Sequence, residues 1–304
     1  MTARVAVLMG GWSVEREVSL VTGRAVAEAL GDRGYEAIEL DVDRDIARTL
    51  ADLRPDVAFN ALHGRFGEDG TVQGLLEILA IPYTHSGVLA SALAMNKVYA
   101  RRLFADAGLR CPEGRVVGRR ELATDRDLEP PYVIKPINEG SSVGVRIVLE
   151  GDNYDPARDE EAAPGDEVLV ERYIPGREIQ VAVMGERALG AIEIRPFGRF
   201  YDYETKYTEN KAEHLMPAPL PDEVYDEALR IALVAHRTLG CRGVTRSDLR
   251  YDDTRGEPGD LYILETNTQP GMTPLSLVPE IAAHQGIGFA DLVEWIVEDA
   301  GCHR

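Results

Sequence analysis

Three oxygen-bearing side chains in the last quarter of the chain stand at spacings that suit a divalent cation. Asp248 lies in Thr245-Arg246-Ser247-Asp248-Leu249-Arg250-Tyr251, and Glu265 and Asn267 lie in Leu261-Tyr262-Ile263-Leu264-Glu265-Thr266-Asn267. Both stretches read as strands, joined by a polar turn from Asp252 to Asp260. Alternate side chains of a strand share a face, so Glu265 and Asn267 point the same way, and a hairpin partner can bring Asp248 beside them. Hard oxygens without His or Cys favour Mg2+ or Mn2+, which bind through one or two carboxylates together with substrate phosphates. Any one of the three alone would read as a solvated hairpin residue. Glu265, however, sits inside an apolar strand, where an unpaired carboxylate is costly. The loop that follows, Thr268-Gln269-Pro270-Gly271-Met272-Thr273, has a glycine where backbone must approach a ligand closely.

Cation usage points to phosphate as the partner of such a metal. Arginine supplies nearly every positive charge, and lysine occurs only at Lys97, Lys135, Lys206 and Lys211. A compact ammonium can sit as a point charge among phosphate oxygens where a guanidinium fork cannot. Lys97, Lys135 and Lys206 each stand beside a motif and are candidates for phosphate contact, although codon bias alone would also make lysine rare. The run Lys135-Pro136-Ile137-Asn138-Glu139-Gly140-Ser141-Ser142-Val143-Gly144 is a small-residue loop between apolar strands, whose amides and hydroxyls can close over phosphate oxygens. The same residues suit a tight hairpin with no ligand. The strand Val168 to Ile174 ends in Glu171-Arg172-Tyr173-Ile174, an edge able to hold an adenine by backbone hydrogen bonds, with Glu178 on the ribose hydroxyls; an inter-domain linker fits it too.

The elements that must position these groups begin with Val5-Ala6-Val7-Leu8-Met9, a continuous apolar run of the kind found in buried parallel strands. Gly10-Gly11-Trp12-Ser13 then turns into an amphipathic helix that Gly31 and Gly34 stop. Further strands are expected at 35–40 and 57–61, so the first ninety or so residues alternate β and α as an open sheet does. Ligands bind beyond the carboxyl ends of such strands, where Glu15 and His63 fall. Each has an ordinary reading as well: Glu15 as a first-turn carboxylate facing the helix dipole, His63 as a structural histidine. No third spaced glycine follows Gly10-Gly11, which excludes a dinucleotide-binding oxidoreductase. Thr71 is expected to cap the helix after the His63–Gly70 loop, and Asn96 the helix beginning at Lys97. Residues 81–87 read as a strand and turn, 151–167 as an acidic surface loop, and 195–216 as a long irregular lid. A helix from Pro221 to Leu239 leads into the metal-site strands, and a last helix runs from Phe289 to Ala300.

With 304 residues, the chain can hold two or three cores. Its net charge of -19 argues against nucleic acid and against an anionic membrane surface. No window is apolar enough to span a bilayer, and the chain opens on a strand, which makes the cytoplasm the expected compartment. Cys111, Cys241 and Cys302 have neither metal nor redox spacing and read as packing residues.

In this order the motifs resemble those of the ATP-grasp ligases, and over nearly the whole chain those of the D-alanine:D-alanine ligases. The resemblance rests on Gly10-Gly11-Trp12-Ser13-Val14-Glu15-Arg16-Glu17-Val18-Ser19, on Leu62-His63-Gly64 with Gly67-Glu68-Asp69-Gly70, and on Lys135-Pro136 with Glu139 to Gly144. It continues in Tyr201-Asp202-Tyr203-Glu204-Thr205-Lys206-Tyr207 and in Glu265-Thr266-Asn267 with Pro270-Gly271-Met272-Thr273. It implies an α/β chain of ATP-grasp fold. An N-terminal open parallel sheet domain (1–90) would carry the first D-alanine subsite, and central (91–175) and C-terminal (176–304) α+β domains would sandwich ATP.

The implied reaction uses ATP to phosphorylate the carboxylate of one D-alanine and lets the amine of a second attack the acyl phosphate, for peptidoglycan precursors. By the match, Glu15 holds the first ammonium, with Ser141 and Tyr207 hydrogen-bonded to it and His63 bordering the subsite. Lys97, Lys135, Ser142 and Lys206 meet phosphates, and Glu171, Arg172, Tyr173, Ile174 and Glu178 meet the nucleoside. Arg246 and the Gly271 amide stabilise the oxyanion, Ser276 and the Leu277 amide take the second carboxylate, and Asp248, Glu265 and Asn267 hold two Mg2+ (or Mn2+). A homodimer is expected. The chain departs from the family where Arg172 replaces a common lysine, where Thr245 and Ser247 flank Arg246, and where the acidic stretch 151–167 replaces a helix. Tyr207 favours D-alanine over D-lactate as second substrate. The alternative is an ATP-grasp ligase for another amino or hydroxy acid, D-lactate or D-serine. A catalytically dead nucleotide-binding module is disfavoured, since Asp248, Glu265, Asn267 and Arg246 are all retained.

Overall fold

The computed structural model describes residues 2–122, 128–141, 143–152, 154, 167–197 and 211–303. In the first part of the chain the elements are β1 (Arg4–Met9), α1 (Arg16–Asp32), β2 (Glu36–Asp41), α2 (Ile46–Leu53), β3 (Val57–Asn60), α3 (Thr71–Leu79), α4 (Val88–Met95) and α5 (Lys97–Asp106). Then come β4 (Gly114–Gly118), α6 (Arg119–Leu122), β5 (Tyr132–Pro136), β6 (Arg146–Val148), β7 (Glu167–Arg172), β8 (Arg177–Met184), β9 (Arg187–Pro196) and β10 (Ala212–Leu215). The chain ends with α7 (Asp222–Thr238), β11 (Val244–Asp252), β12 (Asp260–Asn267), α8 (Leu277–His284) and α9 (Phe289–Glu298).

The apolar run of β1 lies at the centre of a parallel sheet ordered β2-β1-β3. Strand alternation splits it between two cores: Val5 and Val7 pack with Val26 and Leu30 of α1 and Leu292 and Ile296 of α9, while Ala6 and Leu8 pack with Leu50 of α2 and Leu76 of α3. The expected strand at 81–87 is reduced to Tyr83, which bridges Ala58 on one side and Gly301 on the other.

Two antiparallel sheets follow, one of four strands ordered β4-β7-β5-β6 and one of five ordered β10-β9-β8-β11-β12. On β11 the odd-numbered Leu249 and Tyr251 pack with Val224, Ala228 and Ile231 of α7. The even-numbered Arg246, Asp248 and Arg250 therefore share the other face, toward the four-stranded sheet. The same core that holds Val5 and Val7 includes Ala182, Ile192 and Val244 of the five-stranded sheet and Leu277 and Ile281 of α8, so the parallel sheet and the five-stranded sheet are anchored together through α8 and α9.

Some sequence expectations need correction. Asp69, not Thr71, serves the start of α3: its Oδ1 accepts the Thr71 N–H at 3.0 Å, and Gly70 takes the left-handed conformation that the turn needs. Strand β7 stops at Arg172, two residues early: Tyr173 still donates to the Pro131 carbonyl, but Pro131 has no N–H to return the bond, and Pro175 has none to continue a ladder. Helix α1 continues through Gly31 to Asp32, the last two helices cover Leu277–His284 and Phe289–Glu298, and the first of these was not expected. Asn96 does cap α5, accepting from the amides of Val98 and Tyr99, both at 3.1 Å. The ends of the expected lid are strands: Arg195 and Pro196 close β9, and β10 pairs back on it. Residues 198–210 and most of the acidic stretch 151–167 lie outside the described residues. Among the described residues no helix is long and apolar enough to cross a membrane.

Candidate active site

The antiparallel register of β11 and β12 sets Asp248 opposite Glu265 and Arg246 opposite Asn267, with a bulge just after Asp248. Four side chains thus converge on one sheet face. Like charges directly opposite one another repel unless cations compensate. Here Arg246 grips Asp248 through two bonds of 2.7 and 3.0 Å, and Lys97 Nζ stands 3.5 Å from Glu265. The donor set of two carboxylates and an amide, all oxygen, fits Mg2+ or Mn2+. The Asn267 amide is oriented by its own turn, its Oδ1 accepting the Gln269 N–H at 2.7 Å.

A cavity of about 430 Å3 lies between this face and the four-stranded sheet. Its wall includes Lys135 and Glu171 from one sheet, Glu178, Asp248 and Glu265 from the other, and Arg172-Tyr173-Ile174 between them. Lys97 lines its inner end, where its Nζ donates to the Glu139 carbonyl at 2.5 Å. All seven described candidates for nucleotide contact therefore meet in one cavity; Ser142 lies outside the described residues, as do Lys206 and Tyr207.

Side-chain details sharpen the expectations. Glu171 is buried between Lys135 (2.5 Å) and Arg101 (3.0 Å), so its carboxylate holds Lys135 in the wall. Arg172, though exposed, bonds the Tyr262 hydroxyl at 3.1 Å and lies 5.4 Å from the centre of its ring, so its side chain is laid along β12. Burial pushes the thiol of Cys111, beside Arg101, up to about 11, and that of Cys241 to about 12. Both stay protonated and inert, as packing residues do.

A second, smaller chamber of about 50 Å3 shares Lys97, Glu139 and Glu265 with the cavity and continues to Ser141, His63, Arg246, Asn267 and Gly271. Glu15, buried at the start of α1, accepts a hydrogen bond from Ser141 Oγ, which joins the N-terminal sheet to the loop after β5. Ser141 has φ +47, a left-handed conformation that a serine adopts only where its surroundings impose it. His63 stands 3.2 Å from Thr22 and 3.3 Å from Glu68. Burial alone would lower its pKa, but the hydrogen bond to Glu68, the charges of Glu68 and Glu15, and a backbone contact at Gln269 outweigh that and hold it above the ordinary value. Beyond Gly271, which lines the chamber, Ser276 stands at the N-cap position of α8 without a capping side-chain bond, and its Oγ accepts from Thr273 N–H at 2.9 Å; a side chain at Gly271 would come within 2.8 Å of that Oγ. Leu277, the first residue of α8, buries its side chain in the core.

Sequence reasoning missed Arg101, Glu68, Gln269, Asn60 and Arg250. Arg250 was within reach, because strand alternation from Arg246 and Asp248 points straight to it. Glu68 was also within reach, five residues from His63 in the same loop, whereas Arg101, Gln269 and Asn60 act across distances that no local pattern encodes.

Models of the D-ala D-ala ligase C-terminus and N-terminus match residues 105–298 and 46–86. The chain is 57% identical to the D-alanine–D-alanine ligase of Methylorubrum populi, covering all of both chains. It is also 57% identical to that of Parvibaculum lavamentivorans, over 99% of this chain and 98% of the relative. Among solved structures, the D-alanine–D-alanine ligase of Bacillus anthracis complexed with ATP superposes with a TM-score of 0.83 at 31% identity, covering 98% of this chain and 97% of that one. The VanG D-Ala:D-Ser ligase of Enterococcus faecalis does so at 0.79 and 28%, covering 98% and 99%. With full-length sequence likeness added to the two-sheet cavity, the chain belongs to the D-alanine–D-alanine ligase family, ATP-dependent enzymes of the ATP-grasp fold that form D-alanyl-D-alanine.

Proposed function

We propose that the cavity and its adjoining chamber carry out the family reaction, the ATP-dependent joining of two D-alanines for peptidoglycan precursors, with residues in the following roles. The observation that carries this reading is the continuity of a nucleotide-sized cavity with a small polar chamber across Lys97 and Glu265. ATP lies with its base along Arg172-Tyr173-Ile174, its ribose near Glu178 and its phosphates toward Lys135 and Lys97. Asp248, Glu265 and Asn267 would hold two Mg2+ (or Mn2+), which supply neutralisation of phosphate charge. Lys97 and Arg246, which compensate the two carboxylates in the protein alone, then turn to the substrates.

The first D-alanine presents its ammonium to Glu15, with Ser141 steadying that carboxylate and His63 bordering it. Its carboxylate oxygen attacks the γ-phosphorus, the bond to the β–γ bridging oxygen breaks, and ADP leaves an acyl phosphate. The unprotonated amine of the second D-alanine, its carboxylate held by Ser276 and the Leu277 amide, then attacks the acyl carbon. Arg246 and the Gly271 amide stabilise the oxyanion, a role in which one lost donor typically costs about 2.7–4 kcal/mol, and phosphate departs. By family resemblance Ser142 and Lys206 join the phosphates and Tyr207 joins Glu15. The N-terminal domain (1–90) serves the first amino acid, and the central (91–175) and C-terminal (176–304) domains enclose ATP. The enzyme works in the cytoplasm, and the exposed apolar Ile78 of α3 and Leu89 of α4 favour a homodimer that covers them.

Phosphate release and product analysis test the reading. MgATP with D-alanine alone is expected to yield D-alanyl-D-alanine, and added D-lactate or D-serine is expected to leave it the main product. Absence of phosphate release with D-alanine would overturn it.

A further inference from the structure

Along β11, function is laid out at every second residue: Arg246 at the chamber, Asp248 at the metal-ligand set, and Arg250 two residues further on, about 13 Å from Arg246 at strand rise. No role in the proposed reaction has yet fallen to Arg250. Its guanidinium reaches the connection between β7 and β8, where the chain passes from the four-stranded to the five-stranded sheet. Nε donates to the Ile174 carbonyl at 3.1 Å and Nη2 to the Gly176 carbonyl at 2.8 Å. Nη1 stands 3.8 Å from Glu178, its cross-strand neighbour, and the guanidinium carbon lies 5.9 Å from the Tyr173 ring centre. The side chain is only 18% exposed and lines the cavity. Gly176 completes the clamp: at φ +87, a side chain there would meet the Tyr251 carbonyl at 2.1 Å, so the connection lies directly on β11.

A planar fork with fixed donor directions locks two carbonyls relative to each other in a way that a single ammonium cannot. These carbonyls flank Pro175, and the peptide edge just before them, Arg172 to Ile174, is the one assigned to the base. We infer that Arg250 is a positioning residue for nucleobase recognition: it fixes the backbone edge that reads adenine and orients Glu178 toward the ribose, without touching the phosphates or either amino acid. This rests on the reading of the cavity as the ATP site.

The test uses full-length protein with Arg250→Met, which keeps an apolar stem against Tyr173, and Arg250→Lys, which can reach only one carbonyl. Arg250→Met should raise KM for ATP and Kd for a non-hydrolysable ATP analogue about tenfold, equivalent to about 1.4 kcal/mol. It should also erode the preference for ATP over GTP by a similar factor, while KM for D-alanine stays put and kcat falls at most about twofold. Arg250→Lys should fall between it and the wild type. If both variants keep ATP affinity and the ATP:GTP ratio within about twofold of wild type, the inference is wrong. It is equally wrong if kcat and D-alanine KM worsen in step with ATP affinity, the mark of general damage. Should Arg250→Met not fold, Arg250→Lys and its analogue Kd decide. Wild-type protein that fails to release phosphate would instead refute the function on which the inference rests.

Discussion

Gln269 joins the loop after β12 to the N-terminal sheet, and replacing it with leucine should weaken the fold and the chemistry together. Its side chain is 2% exposed. Nε2 donates to the Asn60 carbonyl at the end of β3, and Oε1 accepts from Asn60 Nδ2 at 3.2 Å. Asn60 Nδ2 also reaches the Gly67 carbonyl at 2.9 Å, which accepts from Gln73 Nε2 at 2.8 Å. The network therefore runs from Asn267, through Gln269 and Asn60, to the loop that carries His63 and Glu68. Leucine matches glutamine in size but leaves the Asn60 carbonyl without this buried donor, at about 1–3 kcal/mol, and removes one of two acceptors from Nδ2, at about 1 kcal/mol. The expected loss is about 2–4 kcal/mol in urea unfolding of the ligand-free protein. Because the same loop carries the Gly271 amide, a displacement on the order of 1 Å should cut kcat for dipeptide formation by about ten- to a hundredfold. Asn60→Leu combined with Gln269→Leu should fall short of additivity by about 1 kcal/mol, as contacting partners do. A stability loss below about 0.5 kcal/mol, typical of a surface change, with unchanged kcat would refute the reasoning.

Two further outcomes follow from the geometry. Glu265→Gln should leave the unfolding midpoint near that of wild type but nearly abolish phosphate release, with the residual rate demanding far more Mg2+; wild-type turnover at ordinary Mg2+ would remove Glu265 from the ligand set. His236 is buried under β11 with Nδ1 2.8 Å from Thr245 Oγ1, and burial lowers its pKa to about 4 from 6.5, against the weaker opposing pull of Glu186. The folded state then binds fewer protons than the unfolded one, so this contribution is complete above pH 6.5 and is lost as pH falls toward 4. At about 1.4 kcal/mol per pH unit it is worth roughly 3 kcal/mol. The difference in unfolding free energy between wild type and His236→Gln should shrink by that order across the window, and a constant difference would count against it.

Local chemistry made much of this site readable in advance. The β11–β12 hairpin was legible because strand alternation and an all-oxygen donor set act within a few residues, and the structure sets Asp248 and Glu265 opposite one another. Asn96 was legible as a cap for the same reason, since a cap bonds its own first turn. The cap expected at Thr71 was misplaced because Thr71 is already the first helical residue: the left-handed Gly70 holds the cap position, and Asp69 before it accepts the Thr71 amide. Gln269 and Asn60 lie 209 residues apart, and their buried amides announce nothing until the cores around α8 and α9 bring them together.

The departures around Arg246 find their reason in the same alternation. On β11 the even residues carry charge to the cavity, and the odd residues must be satisfied against α7 and within the sheet. Thr245 meets the unprotonated ring of His236, and Ser247 bonds Thr266 across the hairpin at 2.9 Å. Hydroxyls at these two positions are tolerated because each has a partner; a lone hydroxyl buried there would cost about 1–3 kcal/mol. The polar layer behind the strand thus braces the hairpin that aims Arg246 and Asp248, and substitutions that look remote from the chemistry bear on it through a single strand.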